Sequence, residues 1–407
     1  MSATTAERIR AHRGPAVLGL GFRPFFLAAG LWSALAMLLW LLMLTGSFAP
    51  PIGLAAVDWH VHSLLYGFVP ATVTGFLLTA VPNWTGRLPV TGTPLLGLVL
   101  IWLAGRLAVL FGGLLGPLLT AVVDLAFLGA VFAVILRELL AGRNKRNLPV
   151  LMLVGLLFIG NALFHLEAAR TGIAHYGTRI GIMAIMMLIM LIGGRIIPSF
   201  TRNWLVKREP GRLPASFGRF DQVCLATAGV AFALWVAAPE LWVTAWLAGL
   251  AGALHLVRLG RWAGERSMPE PLVLVLHVGY VFVPLGFLLV LMTHLLPEIV
   301  LPVAPIHAWL AGGVGLMTLA VMSRASLGHS GRPLTADGAT TAVYGAVFVA
   351  ATARILAGTT LDVPGLLHLA GTAWILAVAG FAVAYWPALT RPAIKARPAA
   401  PAPARRG

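Results

Sequence analysis

Eleven histidines stand in a chain that has only thirteen acidic residues. Neutral imidazole is the commonest protein metal ligand and titrates near neutrality. The sharpest local arrangement is DWHVHSLLYG, which places His60 and His62 two residues apart. At about 100° per residue, a regular helix points them about 200° apart. They therefore serve two sites on opposite faces, or stand at a frayed N-terminus where Asp58 caps. One cysteine, Cys224, excludes an intrachain disulfide and any site built from several thiolates. Asp124 and Glu167 are the main acids inside apolar runs. Asp124 reads equally as an interfacial polar group.

An echo surrounds the second candidate ligand region. His62 precedes Gly86-Arg87 by 24 residues, and His307 precedes Gly331-Arg332 by the same 24. A third segment starts near His175 and ends in Gly193-Gly194-Arg195. Arg87, Arg195, Arg324 and Arg332 offer guanidinium forks to the carboxylates of a flat cofactor. The small residues Ala311, Gly312, Gly313 and Gly315 allow close helix packing, or room for such a group.

The elements that must hold these residues are membrane helices. The chain is 59% hydrophobic and 10% charged, with mean hydropathy +0.91. A soluble domain has about a quarter charged residues. The formal charge of +16 does not signal nucleic acid, because the basic residues are spread over short connections between apolar runs. Windows of about 20 apolar residues predict spans at 22–45, 58–80, 93–113, 117–141, 148–170, 175–198, 222–238, 240–260, 271–296, 300–323, 338–358 and 362–386. The seventh is the shortest of these. The first run is longer than a signal-peptide core and reads as a permanent helix, with Pro24 in its first turn.

Charge then orients the bundle. The turns near 46–57, 112–117, 238–240, 297–302 and 359–363 contain no Lys or Arg, whereas the alternate connections contain nearly all of them. The positive-inside rule puts both termini in the cytoplasm. His60, His62, His165, His175, His294, His307 and His368 then lie toward the outer side. His255 and His277 fall in inner halves, and His329 lies in an inner connection. Polar groups in spans are costly and usually functional, although a lone intramembrane histidine can simply bond a neighbouring carbonyl. His12 and His294 read as incidental. The echoed segments are the second, sixth and tenth helices, four apart, which points to three four-helix units. Residues 1–390 form one all-α membrane domain, and 391–407 a basic, Pro/Ala-rich cytoplasmic tail without order.

Several segments in order resemble the NnrS family, bacterial membrane proteins associated with the response to nitric oxide. They are GFRPFF, DWHVHSLLYGF with GFLLTAVPNWTGR, NALFHLEA, GGRIIPSFTRNWL, LHVGYVFVPLGFLL and HAWLAGGVGLMTLAVMSRASLGHSGRPL, running from residue 21 to residue 334. The resemblance implies a twelve-helix protein of the bacterial inner membrane that carries haem and copper and protects against nitrosative stress. By motif it carries over His60, His62, His165, His277, His307 and His329 as candidate ligands, with His60, His62, His165 and His307 as metal ligands. It does not assign each histidine to one metal. The family pattern usually has an acidic residue after the His-x-His pair, where Ser63 stands here. The twelve helices in three units are also similar to the large subunit of haem–copper oxidases, though its neighbouring His-His pair is absent.

The expected function is therefore a haem- and copper-binding membrane protein that binds, turns over or buffers nitric oxide. Catalysis, sensing and scavenging use the same residues, and the redox partner is not specified. A transporter of haem or a metal ion is the alternative. It would use the histidines as transient ligands and Pro70 and Pro284 as breaks in its helices.

Overall fold

A computed structural model describes residues 14–394 apart from Glu209 and Asp362. Among the described residues, twelve helices are long and apolar enough to cross a bilayer. They are α1 (Phe22–Leu44), α2 (Ala56–Thr85), α3 (Thr93–Leu110), α4 (Pro117–Ala141), α5 (Leu148–Thr171) and α6 (Tyr176–Leu205), then α7 (Arg219–Ala237), α8 (Trp242–Gly260), α9 (Pro271–Leu295), α10 (Val303–His329), α11 (Gly338–Leu356) and α12 (Leu366–Thr390). A helix satisfies its own backbone, which lipid cannot do. The chain is a multi-pass membrane protein.

Every span expected from hydropathy is present, but the basic ends differ. α2 continues to Thr85, α6 to Leu205, α10 to His329 and α12 to Thr390. Hydropathy fades at Asn, Arg and Ser, while the helix itself runs on into the headgroup layer. α6, with 30 residues, is about 45 Å long, well beyond a hydrocarbon core of about 30 Å. The seventh helix is not the shortest. Asp221 accepts from the Gly218 N–H and adds a first turn, so α7 has 19 residues and α3 has 18.

Consecutive helices pack as neighbours, and α12 packs on α1 to close the ring. At the centre α2, α6 and α10 meet one another. Their most apolar windows are 72%, 61% and 72% buried, against 28% for α1. Mid-way along these three helices is an apolar cavity of about 70 Å3, walled by residues such as Phe76, Ile189, Gly193 and Met317. The hydroxyls of Thr72 and Thr318 bond carbonyls of their own helices, at Phe68 and at Val314. The Thr72 hydroxyl also lies 3.8 Å from the Met322 sulfur on α10.

Two of the central helices share a local distortion. α2 becomes π-helical over Ser63–Phe68, directly after His62, and α10 over Ala308–Val314, directly after His307. Such bulges insert an extra residue per turn and free carbonyls. In α2 the Ser63 carbonyl accepts the Trp32 indole N–H at 2.9 Å and the Gly67 carbonyl accepts that of Trp102 at 3.0 Å. α6 has no such stretch and begins one residue after His175. Pro284 lies inside the continuous helix α9, and Pro70 follows the π-helical stretch without breaking α2.

Of the tail expected from Arg391, the first residues are placed. The Ile394 N–H donates to the Ser330 carbonyl at 2.9 Å. The remainder lies outside the described residues.

Candidate metal centre

Asp124 is the hub of a buried polar cluster between α2, α3, α4 and α5. One carboxylate oxygen, Oδ1, accepts from Arg106 Nη2. The other, Oδ2, lies 3.1 Å from His62 Nε2 and 3.0 Å from His165 Nε2, and accepts from Asn161 Nδ2 at 2.7 Å. His62 Nε2 is also 3.0 Å from Asn161 Oδ1. Each of these side chains is at least nine-tenths buried. Phe164 and Tyr66 pack their rings against His62. The Tyr66 hydroxyl donates to the Gly177 carbonyl at 2.6 Å, which anchors α2 to α6.

Elements explain why these groups converge. Arg106 and Asp124 lie on the two arms of the α3–α4 hairpin, and Gly105 lets the arms approach Asp124 closely. Asn161 and His165 are four apart, one turn on one face of α5. The π-helical stretch begins where His62 leaves α2, and Trp32 and Trp102 hold that backbone in place.

Among the described residues, His62, Asp124 and His165 form the one group of three or more potential metal ligands, with donor atoms within 4.8 Å of one another. Protonated at Nε2, the two imidazoles donate to Oδ2. With the protons moved to Nδ1, the same two nitrogens and one oxygen become a converging ligand set. Bonds of about 2.0–2.1 Å to a tetrahedral ion give ligand–ligand edges of about 3.3 Å. The observed 3.0 and 3.1 Å separations approach that edge. The donor set N2O therefore fits a transition metal such as copper or zinc.

The NnrS family model, described as NnrS protein, matches residues 16–393. The chain belongs to the NnrS family. No curated protein matches it.

In this member of the NnrS family, the four histidines read as metal ligands divide into two neighbourhoods. His62 and His165 meet at Asp124. His60 points the other way and stacks on Trp40 with ring centroids 4.6 Å apart. It lies within electrostatic reach of Arg354, as does His307, on which His60 also acts. His307 donates Nδ1–H to the Val303 carbonyl at 2.9 Å, which presents the Nε2 lone pair. Arg354 Nη1 is buried without a hydrogen-bond partner. His60, His307 and Arg354 thus supply imidazole donors and a buried cation from α2, α10 and α11.

The other candidates stand apart. His277 bonds Thr201 Oγ1 at 2.8 Å, and His329 packs on Phe22 with centroids 5.5 Å apart. Arg87 pairs with Glu138, Arg195 donates to Asn147 Oδ1 at 3.0 Å, and Arg324 lies 4.1 Å over the Phe200 ring. Arg332 has no acidic partner among the described residues. Asp58 does not cap α2. It sits in the first turn and accepts from the Ala174 N–H at 3.2 Å, while Glu167 accepts from Tyr176 and Gly177 N–H at the start of α6. Ser63 carries no carboxylate to His62, and Asp124 supplies one from α4 instead.

Sequence reasoning gave no central role to Asp124 and passed over Arg106, Asn161 and Arg354. A signal existed for the first pair. TAVVDLAFLG and WLAGRLAVL each bury one charge in an apolar run, on adjacent arms of a short hairpin. Opposite charges so placed are expected to pair.

Proposed function

We propose that this chain is a copper- and haem-binding protein of the bacterial inner membrane, both termini cytoplasmic, which binds or handles nitric oxide in nitrosative stress. The observation that carries the reading is the convergence of His62, Asp124 and His165 on one point inside the bundle. Arg106 already neutralises Asp124, so the formal charge of the group is zero before an ion enters. A monovalent ion leaves one uncompensated charge in a dry site and a divalent ion leaves two. That difference favours Cu(I) among imidazole-binding metals. Held by His62, His165 and Asp124, copper would supply one-electron chemistry and binding of a diatomic ligand. Asp124 would complete the ligand set through Oδ2, and Arg106 and Asn161 hold the carboxylate in place.

The haem assignment has the support of donor chemistry. His60 and His307 present imidazoles on two central helices, and the unpartnered Arg354 Nη1 suits a propionate carboxylate. The apolar cavity between α2, α6 and α10 suits an uncharged diatomic such as nitric oxide. Continuous helices through Pro284 and Pro70 offer no unwound segment of the kind that transporters use for binding.

The test is metal analysis and absorption spectroscopy of the detergent-purified protein, oxidised and reduced, with and without nitric oxide. Near-stoichiometric copper and iron with a Soret band that shifts on nitric oxide is the expected result. A colourless, copper-free protein from cells supplied with both cofactors would overturn the reading.

A further inference from the structure

At the end of the bundle that carries the basic connections, α1, α10 and α12 bring two arginines together without an acid. Arg23 lies in the first turn of α1 and is only 4% exposed. Its Nη1 donates to the Arg391 carbonyl, and its guanidinium lies 5.7 Å from the centroid of the Phe22 ring. Arg332, just past the end of α10, is close enough to act electrostatically on Arg23. Its Nη1 is buried and has no hydrogen-bond partner.

Among the described residues, no carboxylate at this end is left for them. Glu138 is taken by Arg87 and Arg137, Asp221 by Arg258, and Glu265 by Arg212. Glu270 accepts from the N–H groups of Leu272 and Ala336, and Asp337 caps α11 at Thr340. The backbone nevertheless holds the arginines in place. Gly331 turns at φ +75°, where a Cβ would press on the Ile394 carbonyl. Ile394 in turn is bonded to Ser330. The strap after α12 is thus tied to the turn after α10 and carries the Arg391 carbonyl over Arg23. The segments that carry Arg23 and Arg332 are thus fastened to one another, and a guanidinium that is 4% exposed beside one with a buried, unbonded Nη1 needs a counter-charge. The N-terminus of α1 adds partial positive charge beside them.

We propose that Arg23 and Arg332 form a binding site for a phosphate oxyanion between α1, α10 and α12. Guanidinium forks match phosphate oxygens bidentately. Arg23 is the second residue of its span and Arg332 lies beyond the end of α10, the depth at which lipid phosphates sit. The phosphate comes from an anionic phospholipid or from solution. The site does not involve the Asp124 cluster.

The full-length protein, delipidated in detergent, is titrated with phosphatidylglycerol, with phosphatidylcholine, or with inorganic phosphate against chloride at equal ionic strength. Tryptophan fluorescence reports the unfolding temperature, and native mass spectrometry reports retained lipid. A saturable rise in unfolding temperature is expected, with a midpoint about tenfold weaker in Arg332→Gln, the loss of one charge-assisted contact, and partly restored in Arg332→Lys. Response to phosphatidylglycerol alone identifies a lipid source, and response to inorganic phosphate identifies a free anion. Arg23→Gln should act in the same way, and if it fails to fold, the Arg332 pair still decides. A wild-type response no greater than chloride gives, or an unchanged midpoint in Arg332→Gln, overturns the proposal.

Discussion

Arg106 and Asp124 form an ion pair closed off from solvent, with side chains 1% and 0% exposed. They stand 18 residues apart on the two arms of one hairpin. Arg106 occupies Oδ1, which leaves Oδ2 to face His62, His165 and Asn161. The pair thus supplies the carboxylate of the candidate metal centre and also restrains four helices. Its structural and ligand roles can be separated by substitution.

Asp124→Asn leaves Arg106 buried and uncompensated. It should lower stability by about 3–5 kcal/mol, the usual cost of removing one partner of a buried pair, and remove copper. Replacing both partners, Arg106→Met with Asp124→Leu, should recover much of the stability but not the copper. Thermal unfolding and metal content on the same samples check both. Full copper in the double variant would remove Asp124 from the ligand set.

His60 and His62 point to different neighbourhoods. His62→Gln and His165→Gln should each abolish copper retention and leave a haem spectrum largely intact. His60→Gln and His307→Gln should do the reverse. Copper-to-iron ratios and the Soret band in the four variants provide the comparison. Loss of copper in all four would mean that the two neighbourhoods act as one site.

Trp32→Phe and Trp102→Phe keep an aromatic ring, though a smaller one, and remove the N–H groups that satisfy the Ser63 and Gly67 carbonyls. Each should cost about 1–3 kcal/mol, the range for a buried group left unpaired. Because these bonds hold the π-helical stretch directly after His62, copper affinity should fall too. Unchanged copper affinity in a destabilised Trp32→Phe protein would show that the stretch does not position His62.

Gly194→Ala puts a Cβ into the guanidinium of Arg258, which pairs with Asp221 at 2.8 Å and donates to Tyr280 and to the Met190 carbonyl. Displacing this buried arginine should destabilise helices α6–α9 by several kcal/mol without altering the Asp124 cluster on α2–α5. Amide hydrogen exchange resolved by helix distinguishes the two groups. Uniform loss of protection would show that they unfold as one unit.

Copper removal by a membrane-permeant chelator should lower the unfolding temperature of wild type and leave His62→Gln unmoved. A ligand at a hundredfold excess over its Kd contributes about 2.7 kcal/mol. A shift of equal size in both proteins would place the copper elsewhere.

The sequence by itself determined the twelve spans, because each rests on a property of one segment: enough apolar residues to cross hydrocarbon. It also determined that His60 and His62 face apart, since two residues along a helix amount to about 200° whatever surrounds it. The ends of α2, α6, α10 and α12 were underread, because hydropathy stops at the hydrocarbon edge and helical hydrogen bonding does not. Asp124 could not be recognised as a hub from its own segment. Its partners Arg106, His62, Asn161 and His165 come from three other helices, and a carboxylate in an apolar run looks alike whether it meets headgroups or a ring of donors. The π-helical stretches were invisible for the same reason. In α2 the freed carbonyls are satisfied by Trp32 and Trp102, which only tertiary packing brings to Ser63 and Gly67. Crossing the membrane depends on sums over neighbouring residues, whereas the site depends on which distant donors reach one oxygen atom.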